Sequence, residues 1–383
     1  MTSQSPQLRL TRVDKFYGPI DKGVHAVQSI TMDVPKGDII ALLGSSGCGK
    51  TSTLRMVAGF EAVSRGTIEL AGREVQMLPP VKRNVAMAFE GYSLYPTVTV
   101  RDNIAFALKA SRLAEAEVAR RVGHVAEMLE ITDILDRFPS SISGGQQQRA
   151  SLARALVRDA DLHLLDEPMG QLEPQLRTLL RGRIKHYIKE RGLTAILVTH
   201  DQTEANALAD KVAVMEGGVL QQYASSAEIK VRPANLFTGT FVGEPPMNVF
   251  PATVSLSGGE VTFDLSDDQN SAESLRLRYP ENAIDPRVRD MVLTRRQVVI
   301  GVRPYAVHRA AQGAAAQVVA NQWLGDQSHI AAHFAGKSIV LVEHDRAALS
   351  EGQRIHVRIN PEDLHVFDPA SGMALSHGHE LVA

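Results

Sequence analysis

The fold of this chain is decided by Gly44-Ser-Ser-Gly-Cys-Gly-Lys-Thr51. This stretch follows an apolar run, Ile39 to Leu43, and precedes a helical run that begins at Ser52. The order of strand, glycine-rich loop and helix is the context that a phosphate-binding loop requires. Glycines let backbone N–H groups converge on phosphate oxygens at the start of the helix. We call residues 44–51 the phosphate loop; the alternative is a glycine-rich turn before an ordinary helix.

The side chains of the phosphate loop have separate expected tasks. Lys50 places a point charge near the β and γ phosphates, and the hydroxyl of Thr51 is a candidate ligand of Mg²⁺. The thiol of Cys48 lies near a helix N-terminus, where thiol pKa values tend to fall, so we expect its alkylation to block activity unless a nucleotide shields it. The alternative for Cys48 is a small packing residue. The candidate phosphate contacts are Gly44, Ser45, Ser46, Gly47, Cys48, Gly49, Lys50, Thr51 and Ser52.

Further apolar runs indicate an α/β domain with buried parallel strands. They are Asp38 to Leu43, Leu162 to Leu165 and Thr194 to Thr199, and helical stretches lie between them. Residues 101–134 show helical spacing of apolar side chains and predict a helical insert in this domain. The α/β domain is expected to span residues 1–240, with the helical subdomain at about residues 98–160.

Two acidic residues end the second of these strands, in Leu162-His-Leu-Leu-Asp166-Glu167-Pro168. Asp166 is a candidate to hold Mg²⁺ through water, and Glu167 is a candidate to polarise a nucleophilic water. The alternative is a pair of solvated acids at a strand end. Between the phosphate loop and this pair lies Ser143-Gly-Gly-Gln146, directly before a helical stretch. Either plain helix capping or anion binding at a helix N-terminus explains that segment.

The remainder of the chain has a different pattern. From Phe250 onward, short runs alternate between apolar and polar residues, and Gly258-Gly259 predicts a hairpin turn between two of them. The paired prolines in Glu244-Pro-Pro-Met-Asn248 suit a stiff connector. Residues 241–383 are therefore predicted to form a smaller all-β, OB-like domain.

Composition limits the classes of function. The chain has 383 residues, of which 44% are hydrophobic, and a formal net charge of -2. The net charge of the protein therefore gives no overall electrostatic attraction to nucleic acid or to an anionic membrane. The N-terminus lacks a signal pattern, and no apolar run approaches the roughly 18 residues of a spanning helix, so we expect a cytoplasmic location. A single cysteine excludes an intrachain disulfide and a cysteine-based zinc cluster.

Taken in order, the motifs make the chain resemble ABC transporter ATPase subunits. The phosphate loop, Ser143-Gly-Gly-Gln146, Asp166-Glu167 and the histidine of Val198-Thr-His200-Asp201 follow one another as they do in that family. The tail resembles the accessory β domain called TOBE of maltose-type importer ATPases, in Gly301-Val-Arg-Pro304 and in residues 360–367. The resemblance covers almost the whole chain.

This resemblance implies an ATP hydrolase with ATP and Mg²⁺ as cofactors. Two cassettes would pair head to tail, so that each ATP lies between one phosphate loop and Ser143, Gly144, Gly145 and Gln146 of the other cassette. By the same likeness, the ring of Tyr17 would stack on adenine, and Phe16 could do so in its place. The alternative is that Tyr17 is an ordinary aromatic residue at a strand edge. His200 would sense the γ phosphate through a hydrogen bond.

Two residues depart from the family pattern. Glu90 stands where the family has a glutamine that ligates Mg²⁺, positions water and links the site to the membrane subunits. Its carboxylate is still a hard oxygen ligand, but it adds a negative charge and lacks the amide donor. Glu173 replaces an aspartate with a longer acid. We hypothesise that the chain pairs with a different cassette in a heterodimer; neutral drift in a homodimer is the alternative.

The implied function is ATP-driven import of a small solute, with a carbohydrate or polyol as the first expectation. The chain would act at the cytoplasmic face of the membrane as a peripheral subunit. Its partners would be membrane permease subunits, a second ATPase subunit and, indirectly, an extracytoplasmic solute-binding protein. A soluble ABC ATPase that works as a conformational switch without a permease is the competing hypothesis. One cassette without sustained heptads or a basic stripe argues against that hypothesis and against nucleic-acid binding.

Overall fold

A computed structural model describes residues 5–20, 22–109, 113–265, 276–334 and 336–382. These residues form two compact units, of which the first ends at Ser226 and the second begins at Ala227. The predicted connector, Glu244 to Asn248, lies inside the second unit, and the domain boundary at residue 240 stays a prediction. Of the helices in the described ranges, none is long and apolar enough to cross a membrane.

The described residues of the first unit form two sheets together with several helices. The strands are β1 (Leu8–Tyr17), β2 (Val24–Val34), β3 (Ile39–Gly44), β4 (Arg65–Leu70), β5 (Arg73–Glu74), β6 (Val85–Ala88), β7 (Leu162–Asp166), β8 (Ala195–Thr199), β9 (Lys211–Glu216) and β10 (Val219–Ala224). The helices are α1 (Lys50–Ala58), α2 (Val100–Lys109), α3 (Glu115–Met128), α4 (Gly144–Leu156), α5 (Pro174–Glu190) and α6 (Gln202–Leu208).

The larger sheet of this unit positions the site. Its strand order is β10-β9-β3-β8-β7-β6, and all neighbours are parallel except β10 and β9. Every residue of β3, β7 and β8 is buried, which confirms the predicted buried parallel strands. Because parallel strands end at one edge of a sheet, the residues that follow β3, β6, β7 and β8 lie close together.

The smaller sheet has the order β2-β1-β4-β5 and is antiparallel. One hydrophobic core fills the space between the two sheets and includes Leu8, Leu42 and Leu54. The predicted helical insert is confirmed as α2 and α3, with Ile104, Leu108 and Val122 among their buried residues. Residues 110–112 of that insert lie outside the described ranges.

The second unit is rich in β-strands, as predicted. Its strands are β11 (Asn248–Ser257), β12 (Glu260–Asp264), β13 (Arg276–Pro280), β14 (Gln297–Val302), β15 (Val307–Ala310), β16 (Ala314–Trp323), β17 (Ser328–Phe334), β18 (Lys337–Glu343), β19 (Arg354–Ile359), β20 (Leu364–Phe367) and β21 (Ala374–Ser376). They form sheets of order β13-β12-β11-β14-β20-β21 and β15-β19-β16-β17-β18. The short helices are α7 (Ser226–Val231), which begins at the last residue of the first unit, α8 (Leu236–Phe241), α9 (Pro286–Arg295) and α10 (Gly378–Leu381).

The hairpin predicted at Gly258-Gly259 is present. Ser257 pairs with Glu260 across this two-residue turn, and both glycines have positive φ angles, as such a turn requires. Helix α9 was not predicted. It begins where Asp285 accepts hydrogen bonds from the N–H groups of Arg287 and Val288, and Pro286 occupies its first position.

Candidate functional site

The phosphate loop connects β3 to α1, in the predicted order of strand, loop and helix. Gly49 has a φ of +97°, and a Cβ atom there would lie 2.4 Å from the carbonyl oxygen of Ala26, so only glycine fits. Gly47 also has a positive φ, but a Cβ atom added there would meet nothing within 4 Å beyond its chain neighbours. The loop is therefore closed on the side of the sheet and open at Gly47.

The side chain of Lys50 is almost fully buried within the loop. Its ammonium nitrogen lies 2.8 Å from the carbonyl oxygen of Gly44 and 2.8 Å from that of Ser45. Ser45 is itself held by a hydrogen bond of 2.8 Å from its hydroxyl to Glu216 on β9. The ammonium group is thus held by two backbone carbonyl oxygens of the loop, and its positive charge is suitable for a phosphate.

Cys48 corrects one expectation. We expected the helix N-terminus to lower the pKa of its thiol, but burial raises the pKa above its ordinary value and outweighs the opposing effect of Lys50. The sulfur lies 3.7 Å from the ammonium nitrogen of Lys50 and packs in the core of the unit. The expectation was wrong because it counted the helix end and neglected desolvation of the thiolate.

Carboxylates gather at the ends of β6 and β7. The Asp166 carboxylate lies 3.4 Å from the hydroxyl of Thr51, which brings the two predicted Mg²⁺ ligands together. Burial raises the pKa of Asp166 to about 6, and the negative charges of Glu90 and Glu167 add to this effect. Glu90 follows β6, which is paired in parallel with β7, so its charge reaches Asp166.

Glu167 and His200 form a contact across the ends of β7 and β8. The Nδ1 atom of His200 lies 3.0 Å from the Glu167 carboxylate. The Glu167 side chain is 18% exposed, whereas that of His200 is 70% exposed. Glu167 also has a φ of +49°, a left-handed conformation that is uncommon outside glycine. Two of the three predicted catalytic residues, Glu167 and His200, are therefore adjacent, with the histidine on the open side; the third is Glu90.

A buried network behind His200 was missed by sequence reasoning. Thr199 donates a hydrogen bond of 2.6 Å to Glu204 and accepts one of 3.0 Å from the Asp201 N–H group. Burial raises the pKa of Glu204 to about 7, and the charges of Asp201 and Glu167 add to the rise. Asp201 also caps α6 and pairs with Arg177 at 3.1 Å.

One signal in the sequence was available for this network. Asp201 followed three residues later by Glu204 is the spacing of a helix-capping pair, and it stands next to His200. The segment that carries His200 is consequently held on both sides by hydrogen bonds.

Ser143 and Gln146 form a capping box at the start of α4. The Ser143 hydroxyl accepts from the Gln146 N–H group at 3.3 Å, and the Gln146 side chain accepts from the Ser143 N–H group at 2.9 Å. Capping, one of the two interpretations left open above, is thus present. Over the described ranges, no hydrogen bond joins residues 143–146 to the phosphate loop. Anion binding by Gly144 and Gly145 stays a prediction.

Tyr17 lies at the end of β1, close to α1. Its hydroxyl is 3.1 Å from that of Ser52, and the ammonium group of Lys15 lies 4.8 Å from the centre of its ring. The ring of Phe16 instead stacks on His25, with centroids 3.9 Å apart. Tyr17 is therefore a better candidate than Phe16 to stack on a nucleotide base.

Comparison with known proteins agrees with this geometry. Residues 27–170 match the model of the family described as ABC transporter, and residues 300–367 match that of the TOBE domain. The sn-glycerol-3-phosphate import ATP-binding protein UgpC of Cereibacter sphaeroides is 38% identical over 373 residues, which span 96% of this chain and 99% of the relative. The chain belongs to the ABC transporter family.

Other members of the ABC transporter family are similar over the same length. The trehalose/maltose import ATP-binding protein MalK of Thermococcus litoralis is 36% identical, and the match covers 96% of this chain and 99% of that protein. The lactose transport ATP-binding protein LacK of Rhizobium radiobacter is 36% identical, with 96% and 98% covered. A dimeric post-hydrolysis state of the ATP-binding cassette MJ0796 bound to ADP and Pi superposes with a TM-score of 0.53. It covers 57% of this chain and 98% of that cassette at 22% identity, and so supports the fold alone.

As an ABC transporter protein, the chain binds ATP and is an ATPase coupled to transport. Its first unit has the P-loop fold predicted from residues 44–51, and the second contains the TOBE domain. The expected Mg²⁺ fits the donor set of this ABC site, since a hydroxyl and a buried carboxylate already lie side by side. Burial is the main cause of the raised pKa of Asp166, and Glu90 and Glu167 add negative charge that Arg55 offsets only in part and that a divalent cation would neutralise.

The second departure of this ABC protein, Glu173, occupies the N-cap position of α5. Within the described ranges its side chain makes no capping hydrogen bond, whereas the shorter aspartate is among the residues preferred at that position. Helix α5 therefore begins without a side-chain cap from Glu173, directly after the loop that follows Glu167. Glu173 is exposed, so its carboxylate is available to other contacts.

Proposed function

We propose that this chain is the ATP-binding subunit of an ABC importer that hydrolyses Mg-ATP to drive the uptake of a carbohydrate or polyol. The observation that carries the proposal is the 3.0 Å contact between Glu167 and His200, set beside a buried Lys50 and an Asp166–Thr51 pair at one sheet edge. These are the groups that phosphoryl transfer to water needs: positive charge, a metal site and a base.

Each side chain at this edge has a distinct proposed role. Lys50 holds the β and γ phosphates, while Thr51, Asp166 and Glu90 hold Mg²⁺, which when bound neutralises phosphate charge. Glu167 polarises the attacking water. The Nδ1 atom of His200 contacts Glu167, and Nε2 is proposed to donate a hydrogen bond to the γ phosphate. For both ring nitrogens to donate, both must be protonated.

The second half of each ATP site comes from another cassette. Ser143, Gly144, Gly145 and Gln146 stand at the N-terminus of α4, a helix of 13 residues whose dipole favours an anion. A second cassette facing the phosphate loop would present the same four residues to ATP. The altered Glu90 and Glu173 favour a different cassette as partner over a second copy. Separating the ATPase subunits of the purified complex by mass tests this point, because two copies of one chain would contradict the heterodimer.

Permease subunits are the proposed membrane partners. The exposed rings of Tyr95 and Phe106 lie 5.0 Å apart in the helical region. Arg154 of α4 donates to the carbonyl oxygens of Tyr92 and Ser93, which fixes the loop after Glu90 against the helix. An apolar patch on a fixed loop suits docking to cytoplasmic helices of a permease. The chain would then work as a peripheral subunit at the cytoplasmic face of the membrane.

The class of solute rests on the relatives, whose names specify glycerol 3-phosphate, trehalose or maltose, and lactose. An extracytoplasmic binding protein would deliver the solute, which need not touch this chain. The test is uptake by proteoliposomes that contain the permease, this chain and the binding protein, with radiolabelled glycerol 3-phosphate, trehalose, maltose and lactose. ATP-dependent accumulation of one of them is expected. ATP turnover without any uptake or permease association would favour the soluble switch instead.

A further inference from the structure

Gln148 is a buried glutamine in α4 that contacts the loop after β7. Its side chain is only 4% exposed, although glutamine is usually a surface residue. The amide nitrogen donates to the carbonyl oxygen of Glu167 at 2.9 Å, and the amide oxygen accepts from the Gln171 N–H group at 3.0 Å. Both ends of one side chain therefore bind the same loop, at its first residue and four residues later.

The backbone of Glu167 needs such support. Its φ of +49° is a conformation that residues with a Cβ atom rarely adopt and that persists only where the surroundings enforce it. The Glu167 N–H group is held at 3.0 Å by the carbonyl oxygen of Val198 on β8. On the other side of the residue, Gln148 gives the carbonyl oxygen a bond of 2.9 Å, and the turn bond from Gly170 is longer, at 3.4 Å.

A second observation joins this loop to the start of α4. A Cβ atom added to Gly144 would lie 2.7 Å from the side-chain oxygen of Gln171, and one added to Gly145 would lie 3.2 Å from its carbonyl oxygen. Gln171 thus packs closely on the two glycines that follow Ser143. Displacing the Ser143–Gln146 segment would therefore disturb the loop that begins at Glu167.

We propose that Gln148 is a positioning residue for Glu167: its amide holds the Glu167 backbone in the conformation from which the carboxylate meets His200, and links it to the Ser143–Gln146 segment. This inference rests on the proposed function, because it concerns the same hydrolytic step. Gln148 lies on α4 and forms no hydrogen bond with the phosphate loop in the described ranges. Its loss should therefore lower kcat and leave KM for ATP nearly unchanged.

The experiment compares three variants in the assembled membrane complex. Gln148→Met keeps the length of the side chain and removes both hydrogen bonds. Gln147→Met is the matched control, since the neighbouring Gln147 donates to the carbonyl oxygens of Pro139 and Ile142 and not to the loop after Glu167. Gln148→Glu retains an acceptor for Gln171, and can donate to the Glu167 carbonyl oxygen only when it is protonated.

We expect Gln148→Met to lower kcat by about tenfold or more and to keep KM within about twofold of wild type. A loss of this size is typical when a reacting group is slightly misplaced. The control should stay within about threefold of wild type in kcat. Turnover by Gln148→Glu, divided by that of wild type at the same pH, should rise several-fold as pH falls from about 8 to about 6, because protonation restores the donor. Titrations shared by both proteins, such as those of Asp166 and Glu204, cancel in this ratio, and urea unfolding of Gln148→Glu at pH 6 and pH 8 checks that the rise does not come from a change in stability.

Two results separate failure of this inference from failure of the proposed function. The positioning role alone is overturned if the wild-type complex turns over ATP and Gln148→Met and Gln147→Met have equal kcat. It is also overturned if the turnover of Gln148→Glu relative to wild type does not change with pH. A wild-type complex without ATP turnover contradicts the proposed function, and the inference falls with it.

Discussion

Replacing Asp166 by asparagine should stabilise the metal-free protein while abolishing its turnover. The wild-type carboxyl has a pKa of about 6 in the folded chain against an ordinary 3.8, because it is buried beside other acids. One pKa unit is about 1.4 kcal/mol, so the ionised form costs up to about 3 kcal/mol of folding free energy near pH 8. Asparagine has nearly the same shape, carries no charge and keeps an oxygen that can accept from Thr51, so it removes this cost.

The sign of the pH dependence follows from the raised pKa. Below pH 3.8 the carboxyl is protonated in both the folded and the unfolded chain, so the variant gains nothing there. The gain grows as pH rises from 3.8 to about 6 and is complete above that pH. Urea unfolding of the full chain in EDTA, at pH 5 and pH 8, measures the difference between wild type and Asp166→Asn. An Asp166→Asn variant that is equally stable or less stable at pH 8 would show that the ionised Asp166 carboxylate does not destabilise the fold.

Three further predictions concern neighbouring residues. Glu90→Gln removes a charge that raises the pKa of Asp166, so the acid limb of the pH profile of ATP turnover should move to lower pH; an unmoved limb contradicts this. Cys48 should react slowly with N-ethylmaleimide at pH 7, because its thiol is buried and its pKa is raised, and ATP should slow the reaction further. Complete modification of Cys48 should abolish ATP turnover, and full activity after complete modification would contradict that prediction. Glu204 has a pKa of about 7 in the folded chain, so its ionisation lowers the stability of the wild type as pH rises through 7. Urea unfolding at pH 5 and pH 8 should show that Glu204→Gln lacks this loss of stability. Equal losses in the two proteins would disprove the effect of Glu204.

The fold was largely predictable because its signals are local. The phosphate loop, the continuous apolar runs of β3, β7 and β8, and the glycine pair between β11 and β12 each specify one element within about ten residues. Helix α9 was missed, since its start depends on Asp285 and Pro286 in a region whose alternation favours strands. A capping aspartate before a proline is a short signal, and the longer alternating pattern around it favours strands.

The site was predictable as a list of residues but not as a set of environments. Asp166, Glu167 and His200 were identified from motifs, and the parallel sheet brings them to one edge. Their electrostatics depend on contacts distant in sequence: Glu90 follows β6 and acts on Asp166 at the end of the neighbouring strand β7, and Glu204 is buried behind Thr199. The thiol of Cys48 was misjudged for the same reason, because burial is set by the whole unit and not by the loop.

Gln148 shows the same limit. In the sequence it is one of three consecutive glutamines, and nothing local distinguishes it from Gln147. In the fold, helical geometry turns Gln148 toward β7 and Gln147 toward the segment before α4. Only the packing of α4 against that strand end assigns them different tasks.

We propose that Glu167 activates water for ATP hydrolysis at a site completed by a second cassette. Steady-state ATP turnover of the assembled membrane complex at saturating Mg-ATP, measured with the wild-type chain and with Glu167→Gln, tests this role. We expect Glu167→Gln to lower turnover by about 10²–10⁴-fold and to retain ATP binding, as is typical when a general base is removed. Turnover of the Glu167→Gln complex within about twofold of wild type would contradict it.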